Sequence, residues 1–159
     1  MANSNTRIFK VEDAHITYRN FKGEARQYNK EGNRNFNVIL TPDQAKMFSD
    51  EGFRVRERSA REEDGDPVYL MSVSVSFRFR PPRVVVIRGK SRVELDEDTI
   101  GELDYADIEY IDMTIRPYYW SMPDGKCGVK AYLNSMYVTL VDDPFEDKYA
   151  DEESEEEPF

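Results

Sequence analysis

The sequence predicts a mainly β fold, a small barrel of five to six strands with one or two short helices and an acidic tail, and three observations carry that prediction. The first is period-two alternation. From Tyr69 to Phe79, Met71, Val73, Val75, Phe77 and Phe79 fall on one face, while Ser72, Ser74, Ser76, Arg78 and then Arg80 fall on the other. One face is core and the other is wet or ligand-facing. The second is that similar alternation recurs between turn signals along most of the chain, with no internal repeat. The third is that the end of the chain, Asp142 to Phe159, is a run of carboxylates that repels itself and cannot bury a core. The chain thus divides into a folded domain over residues 1–141 and a protein-interaction tail over 142–159.

Each element has its own warrant. A first strand is expected over Arg7 to Arg19, and a second over Arg34 to Leu40, with Phe36, Val38 and Leu40 inward and Asn35 and Asn37 outward. Thr41 to Gly52 reads as a helix, because Thr41 can cap it, Pro42 suits its first turn and Gly52 stops it. Glu62 to Pro67 is a polar loop and Pro81-Pro82 a turn before a strand at Arg83 to Ile87. A weaker helical turn falls at Asp98 to Tyr105. Strands at Ile108 to Tyr119 and Lys126 to Leu140 are joined as a hairpin by Pro123-Asp124-Gly125. In the last strand Val129, Ala131 and Leu133 keep one phase and Met136, Val138 and Leu140 the other, so a β-bulge is expected near Asn134-Ser135. These elements fit the oligonucleotide-binding (OB) fold, with a β-sandwich as the alternative topology.

At 159 residues the chain makes one domain plus ends. It has no long apolar run and no export signal, and its single cysteine, Cys127, excludes an internal disulfide, so a cytoplasmic setting with no membrane contact is expected. The formal net charge of −10 argues against a nucleic-acid partner until it is divided. From Asp142 onward ten carboxylates face only Lys148, whereas residues 1–93 carry 18 Lys plus Arg against 12 Asp plus Glu. Glu94 to Asp112 adds nine acids and no base. The protein is therefore a basic part, an acidic segment and an acidic tail.

Three features of the folded part point to a single-stranded nucleic acid. In the loop after the first strand, Arg19, Lys22, Arg26, Lys30 and Arg34 are interleaved with Tyr18, Phe21 and Tyr28. Cations there can follow phosphates while rings stack on bases, although the same aromatics could simply pack down on the barrel. In the second feature, Ile111, Met113 and Ile115 face inward, which turns Arg116, Tyr118 and Trp120 outward as a cation–aromatic ladder. Cover by a loop or by a second copy in a homodimer is the other way to shield those rings. The third is Lys130 and Tyr132, outward on the last strand and placed to extend the same surface, to which Arg78 and Arg80 also contribute.

Catalytic chemistry finds little support. His15 is the lone histidine, no Cys/His zinc set exists, and no phosphate-binding glycine motif occurs, so no cofactor is implied. Asp104, Asp107, Glu109 and Asp112 could hold divalent ions as in nucleases, or form a solvated edge that blocks strand addition. A DNA-mimicking inhibitor, using Glu94 to Asp112 and the tail to fill a basic groove on another protein, is the other reading.

Glu155-Glu156-Glu157-Pro158-Phe159 carries a resemblance. Carboxylates running into a terminal Pro-Phe resemble the ending of phage and prokaryotic single-stranded-DNA-binding proteins, which join an OB-fold core to an acidic tail. The core is similar more loosely, over Tyr18 to Leu40 and Arg116 to Leu140, and the long Gln- and Gly-rich linker of bacterial members is missing. The resemblance implies a non-enzymatic protein that coats and protects single-stranded DNA in replication, recombination and repair. It also implies that Phe159 and its neighbouring acids recruit a DNA polymerase, helicase or nuclease.

Overall fold

The computed structural model describes residues 7–27, 29–59, 65–78 and 80–141. In chain order its strands are β1 (Phe9–Val11), β2 (His15–Asn20), β3 (Arg34–Leu40), β4 (Val55–Arg58), β5 (Val68–Val75), β6 (Arg83–Arg88), β7 (Ser91–Leu95), β8 (Ile108–Ser121) and β9 (Cys127–Leu140). Helix α1 (Pro42–Asp50) follows β3, and a 3-10 turn at Ile100–Asp104 precedes β8.

The strands join in the order β1-β8-β9-β5-β3-β2. The two ends of that path are successive segments of one bent strand, separated by Glu12, Asp13 and Ala14. Asp13 turns the corner with a φ of 49° and its N–H donates to Asp112 Oδ1 at 2.9 Å. The Ala14 N–H then donates to the Ile111 carbonyl at 2.7 Å, so β1 runs against β8 and β2 against β3. The sheet thereby returns on itself. With β5 and β9 paired in parallel, this is the OB-like arrangement the sequence predicts.

Two strands beyond those expected, β4 and β7, and the division of the first strand into β1 and β2 raise the count above five to six. β4 lies along β5, and the β6–β7 hairpin lies along the far half of β9. The sequences of β4 and β7, VRER and SRVEL, are short and charged, and neither buries a full apolar face. Alternation therefore could not reveal them. The expected bulge is present and has a task. Thr114 pairs with Ser135 and Ile115 with Leu133, leaving Asn134 as the extra residue. At that step the outer edge of β9 changes partner, from β5 at Ala131 and Tyr132 to β6 at Ser135 to Thr139.

The inward residues form one core, in which Phe36, Val38, Met71, Val73, Ile111, Met113, Ile115, Leu133, Met136 and Val138 are all buried. Helix α1 plugs an end of it. Thr41 accepts from the Gln44 N–H and the Gln44 side chain accepts from the Thr41 N–H, a reciprocal cap that fixes where the helix begins. Phe48 then packs on Phe9 and Phe53, with ring centroids 5.5 and 5.3 Å away. β5 ends at Val75, short of the expected Phe79, because its partner β3 begins at Arg34, opposite Val75, and supplies no further ladder. Phe77 is half-buried under the Arg34 guanidinium, and Phe79 lies outside the described residues.

Phe21, expected to contact bases, is instead fully buried and stacked on Phe36 at 5.0 Å between centroids. Its replacement by Ala should therefore cost about 3–5 kcal/mol of stability. Urea unfolding would show this as a lowered midpoint, and an unchanged midpoint would contradict a core role.

Candidate nucleic-acid interface

The outer faces of β8 and β9 carry a matched ladder. Register places Arg116 beside Tyr132, Tyr118 beside Lys130, and Trp120 beside Gly128. The Arg116 guanidinium lies 5.4 Å from the Tyr132 ring centre and the Lys130 ammonium 5.1 Å from it. Tyr118 meets the same ring edge-on at 6.1 Å. Two cations thus sit against an aromatic whose neighbours are themselves exposed, an arrangement ready for stacking and for phosphate. Gly128 matters to this ladder because a Cβ there would fall 2.7 Å from Trp120 Cζ2. The indole needs the bare backbone of β9 beneath it.

The facing wall is the loop from Phe21 to Asn33, held by side-chain amides. Asn20, fully buried, accepts from the N–H groups of Gly23 and Glu24 and donates to the Glu24 carbonyl. Asn29 donates to the carbonyls of Glu24 and Asn33 and accepts from the Asn35 amide at 2.9 Å. Asp104 receives the N–H groups of Phe21 and Lys22 at 2.6 and 3.1 Å. A long polar loop with so many internal partners is a fixed wall rather than a loose one.

Between loop and ladder lies a groove of about 1310 Å³ floored by Ser74, Val75 and Ser76. Eight of the expected binding residues line it: Lys30, Arg34, Arg78, Arg80, Arg116, Tyr118, Lys130 and Tyr132. Against those six cations stand only Glu31 and Glu97, so the groove is a strongly positive channel. Arg34 is partly spent on structure, donating to the carbonyls of Phe21 and Lys22 and lying 3.7 Å from Glu97.

Other expected contacts fall elsewhere. Arg19 points away and donates to the carbonyls of Leu103 and Ala106, tying the 3-10 turn to β2. Lys22 packs by Gly101 and lies 3.8 Å from Glu24, and Arg26 lies 3.9 Å from the same carboxylate. Neither lines the groove. Trp120 shares the outer face with Tyr118 but stands beyond the groove, toward the hairpin tip. Tyr28, Glu155, Glu156, Glu157, Pro158 and Phe159 lie outside the described residues. The sequence reading missed Asn29, Asn35 and Glu97, which shape the groove wall. Asn20, Gly23, Asn29, Gly32 and Asn33 are the turn-forming signal that could have marked it.

Comparison with known proteins identifies the family and the fold. A family model described as "Putative phage ssDNA-binding domain" matches residues 3–158. The chain belongs to this family. Among solved structures it is similar to the single-stranded DNA-binding protein from bacteriophage Enc34, with a TM-score of 0.56 at 18% identity over 87% of this chain and 83% of that one. A C-terminal truncation of that phage protein gives 0.54 at 18% identity, over 87% of this chain and 88% of the other. Gp2.5, a single-stranded DNA-binding protein encoded by bacteriophage T7, gives 0.45 at 12% identity over 92% and 94%. At such identities the likeness to the Enc34 protein and its truncation concerns the fold. None of the curated proteins matches the sequence.

Membership in a family of single-stranded-DNA binders rather than enzymes removes the nuclease alternative. Asp104 is spent on the loop and Asp112 on the Asp13 N–H. Among the described residues no three His, Cys, Asp or Glu are grouped to hold a metal ion. The shifted acids and phenols lie outside the groove: the Thr99 hydroxyl lowers the pKa of Asp96 first, aided by backbone N–H groups, and the Asp112 charge first raises that of Tyr110. The described residues include no helix long and apolar enough to cross a membrane.

In this member of the phage family, Gly128→Ala should push the indole off β9. Trp120 emission would then shift in wavelength and quench more readily with iodide. An unchanged spectrum would show that the ring does not rest on Gly128.

Proposed function

We propose that the groove holds single-stranded DNA without regard to sequence, its phosphates on Lys30, Arg78, Arg80, Arg116 and Lys130 and its bases on Tyr118, Tyr132 and the outlying Trp120. The observation that carries this reading is Tyr132, flanked by two cations and met edge-on by Tyr118 at the mouth of a positive channel. A ring stacks on any base and a phosphate is the same at every step, so binding of this kind coats a strand rather than choosing a site. Family membership supports the reading, and so does the likeness in fold to the single-stranded DNA-binding protein from bacteriophage Enc34. Coating would protect single strands exposed during phage DNA replication, recombination and repair. The tail, with Glu155 to Glu157 before Pro158-Phe159, has the chemistry to enter a basic-rimmed apolar pocket on a polymerase, helicase or nuclease.

Titration of labelled single and double strands, longer than the ~4–16 nucleotides that one OB fold occupies, tests the groove. Tight preference for the single strand without divalent metal is expected. Tyr132→Ala should lose about 1–3 kcal/mol of binding, roughly 5- to 150-fold in affinity. Equal affinity for duplex, or no binding, would overturn the assignment.

The charge division supports a further role for the tail, which carries nine net negative charges from Asp142 on. Removing residues 142–159 should tighten single-strand binding and steepen its salt dependence, because a competing polyanion is lost. Identical salt titrations for the full and shortened chains would rule out that competition.

A further inference from the structure

We infer that the strand, on leaving the groove, continues along the outer face of β5 to a second contact area made by the arginines of β4 and by Tyr18. The inference rests on the reading of the groove as a single-strand site. β4 pairs with β5 through Val55–Met71, Arg56–Leu70, Glu57–Tyr69 and Arg58–Val68. Val55 packs toward the core with Met71, so pleating turns Arg54, Arg56 and Arg58 to the opposite, outer side, where all three are exposed. Phe53 is bridged in parallel to Val129, which sets Arg54 alongside Lys130 at the groove rim. On that side of β5 Ser72 is exposed and Ser74 lines the groove, while Leu70, opposite Arg56, is covered. The arginine row is therefore continuous with the groove.

Tyr18 marks the far end. Its hydroxyl accepts from Arg58 Nη1 at 2.8 Å, a contact that reaches from β2 across β3 and β5 to β4. The ring is 57% exposed and serves no core. Yet its backbone sits at φ 51°, within the register break of β2 between Thr17 and Asn20. A bulky residue held at positive φ with its ring in solvent is a conformation packing does not explain, and such positions cluster at ligand sites. The cross-strand rows beneath are Thr17–Asn37–Ser72 and His15–Ile39–Leu70, which hold no carboxylate.

The chemistry matches the proposed ligand. Guanidinium forks suit phosphate oxygens and an exposed phenol ring suits a base. From Ser74 back to Val68, β5 covers about 20 Å at ~3.3 Å per residue. That length takes up to about six stacked nucleotides at ~3.4 Å each.

The test compares an oligonucleotide of about six nucleotides, short enough for the groove alone, with one several times longer. Arg56→Gln/Arg58→Gln, which leaves the groove rim intact, should bind the short strand as the unaltered protein does. On the long strand it should show a salt slope smaller by about 1.4, ~0.7 for each lost phosphate contact. Arg56→Lys/Arg58→Lys should restore that slope. Tyr18→Asn, which tolerates the same backbone, should weaken long-strand binding by at least about fivefold. Unchanged slope and affinity on the long strand would overturn the extension and leave the groove reading standing. Equal losses on short and long strands would also overturn it, since these residues would then act at the groove or on the fold. Failure of the unaltered protein to bind any single strand would overturn both readings.

Discussion

The antiparallel pairing of β8 with β9, which runs from Ile108–Leu140 to Ser121–Cys127, sets both faces of the molecule at once. Side chains alternate strictly across a strand, so the register that sends Ile111, Met113, Ile115, Leu133 and Met136 into the core also lines up Arg116 with Tyr132 and Tyr118 with Lys130 outside. A slip of one residue would bury the cations and expose the core. The stability of the barrel and the composition of the groove are thus two consequences of one constraint.

That pairing also explains why irregular features fall where they do. Straight strands of this length cannot wrap a small core, and the extra residue at Asn134 bends β9 as its outer edge changes from β5 to β6. The bulge divides β9 into a half that faces the groove and a half that anchors the β6–β7 hairpin. Opposite it, the loop from Phe21 to Asn33 gains its form from Asn20, Asn29 and Asp104 rather than from apolar packing. A polar wall suits a site that must stay wet and positive, and the amide network keeps it from collapsing onto the ladder.

The site was legible on the strands and much less so on the loop. Arg116, Tyr118, Lys130 and Tyr132 line the groove as expected because alternation on a regular strand predicts direction. Arg19, Phe21, Lys22 and Arg26 were placed with them on composition alone, and composition gives no direction in a loop. There the chain turned Phe21 into the core and Arg19 toward the carbonyls of Leu103 and Ala106. The carboxylates misled for a related reason. Asp104 and Asp112 sit close in sequence to other acids, but each serves a distant backbone N–H that no local pattern reveals.

By itself the sequence determined the β class, the core residues of the long strands, the capped helix, the bulge and the division of charge into a basic part, an acidic segment and an acidic tail. These follow from local periodicity, capping chemistry and charge counting, which need no partner to be known. Tertiary structure decided which strands adjoin, that one bent strand closes the barrel, and which cations converge on the groove. It also brought β4 beside β5, and Phe53 just ahead of it beside Val129 of β9, although the four residues of β4 show no pattern of their own. Such placements depend on pairings between residues far apart in the chain, whose energies arise only when the whole barrel closes.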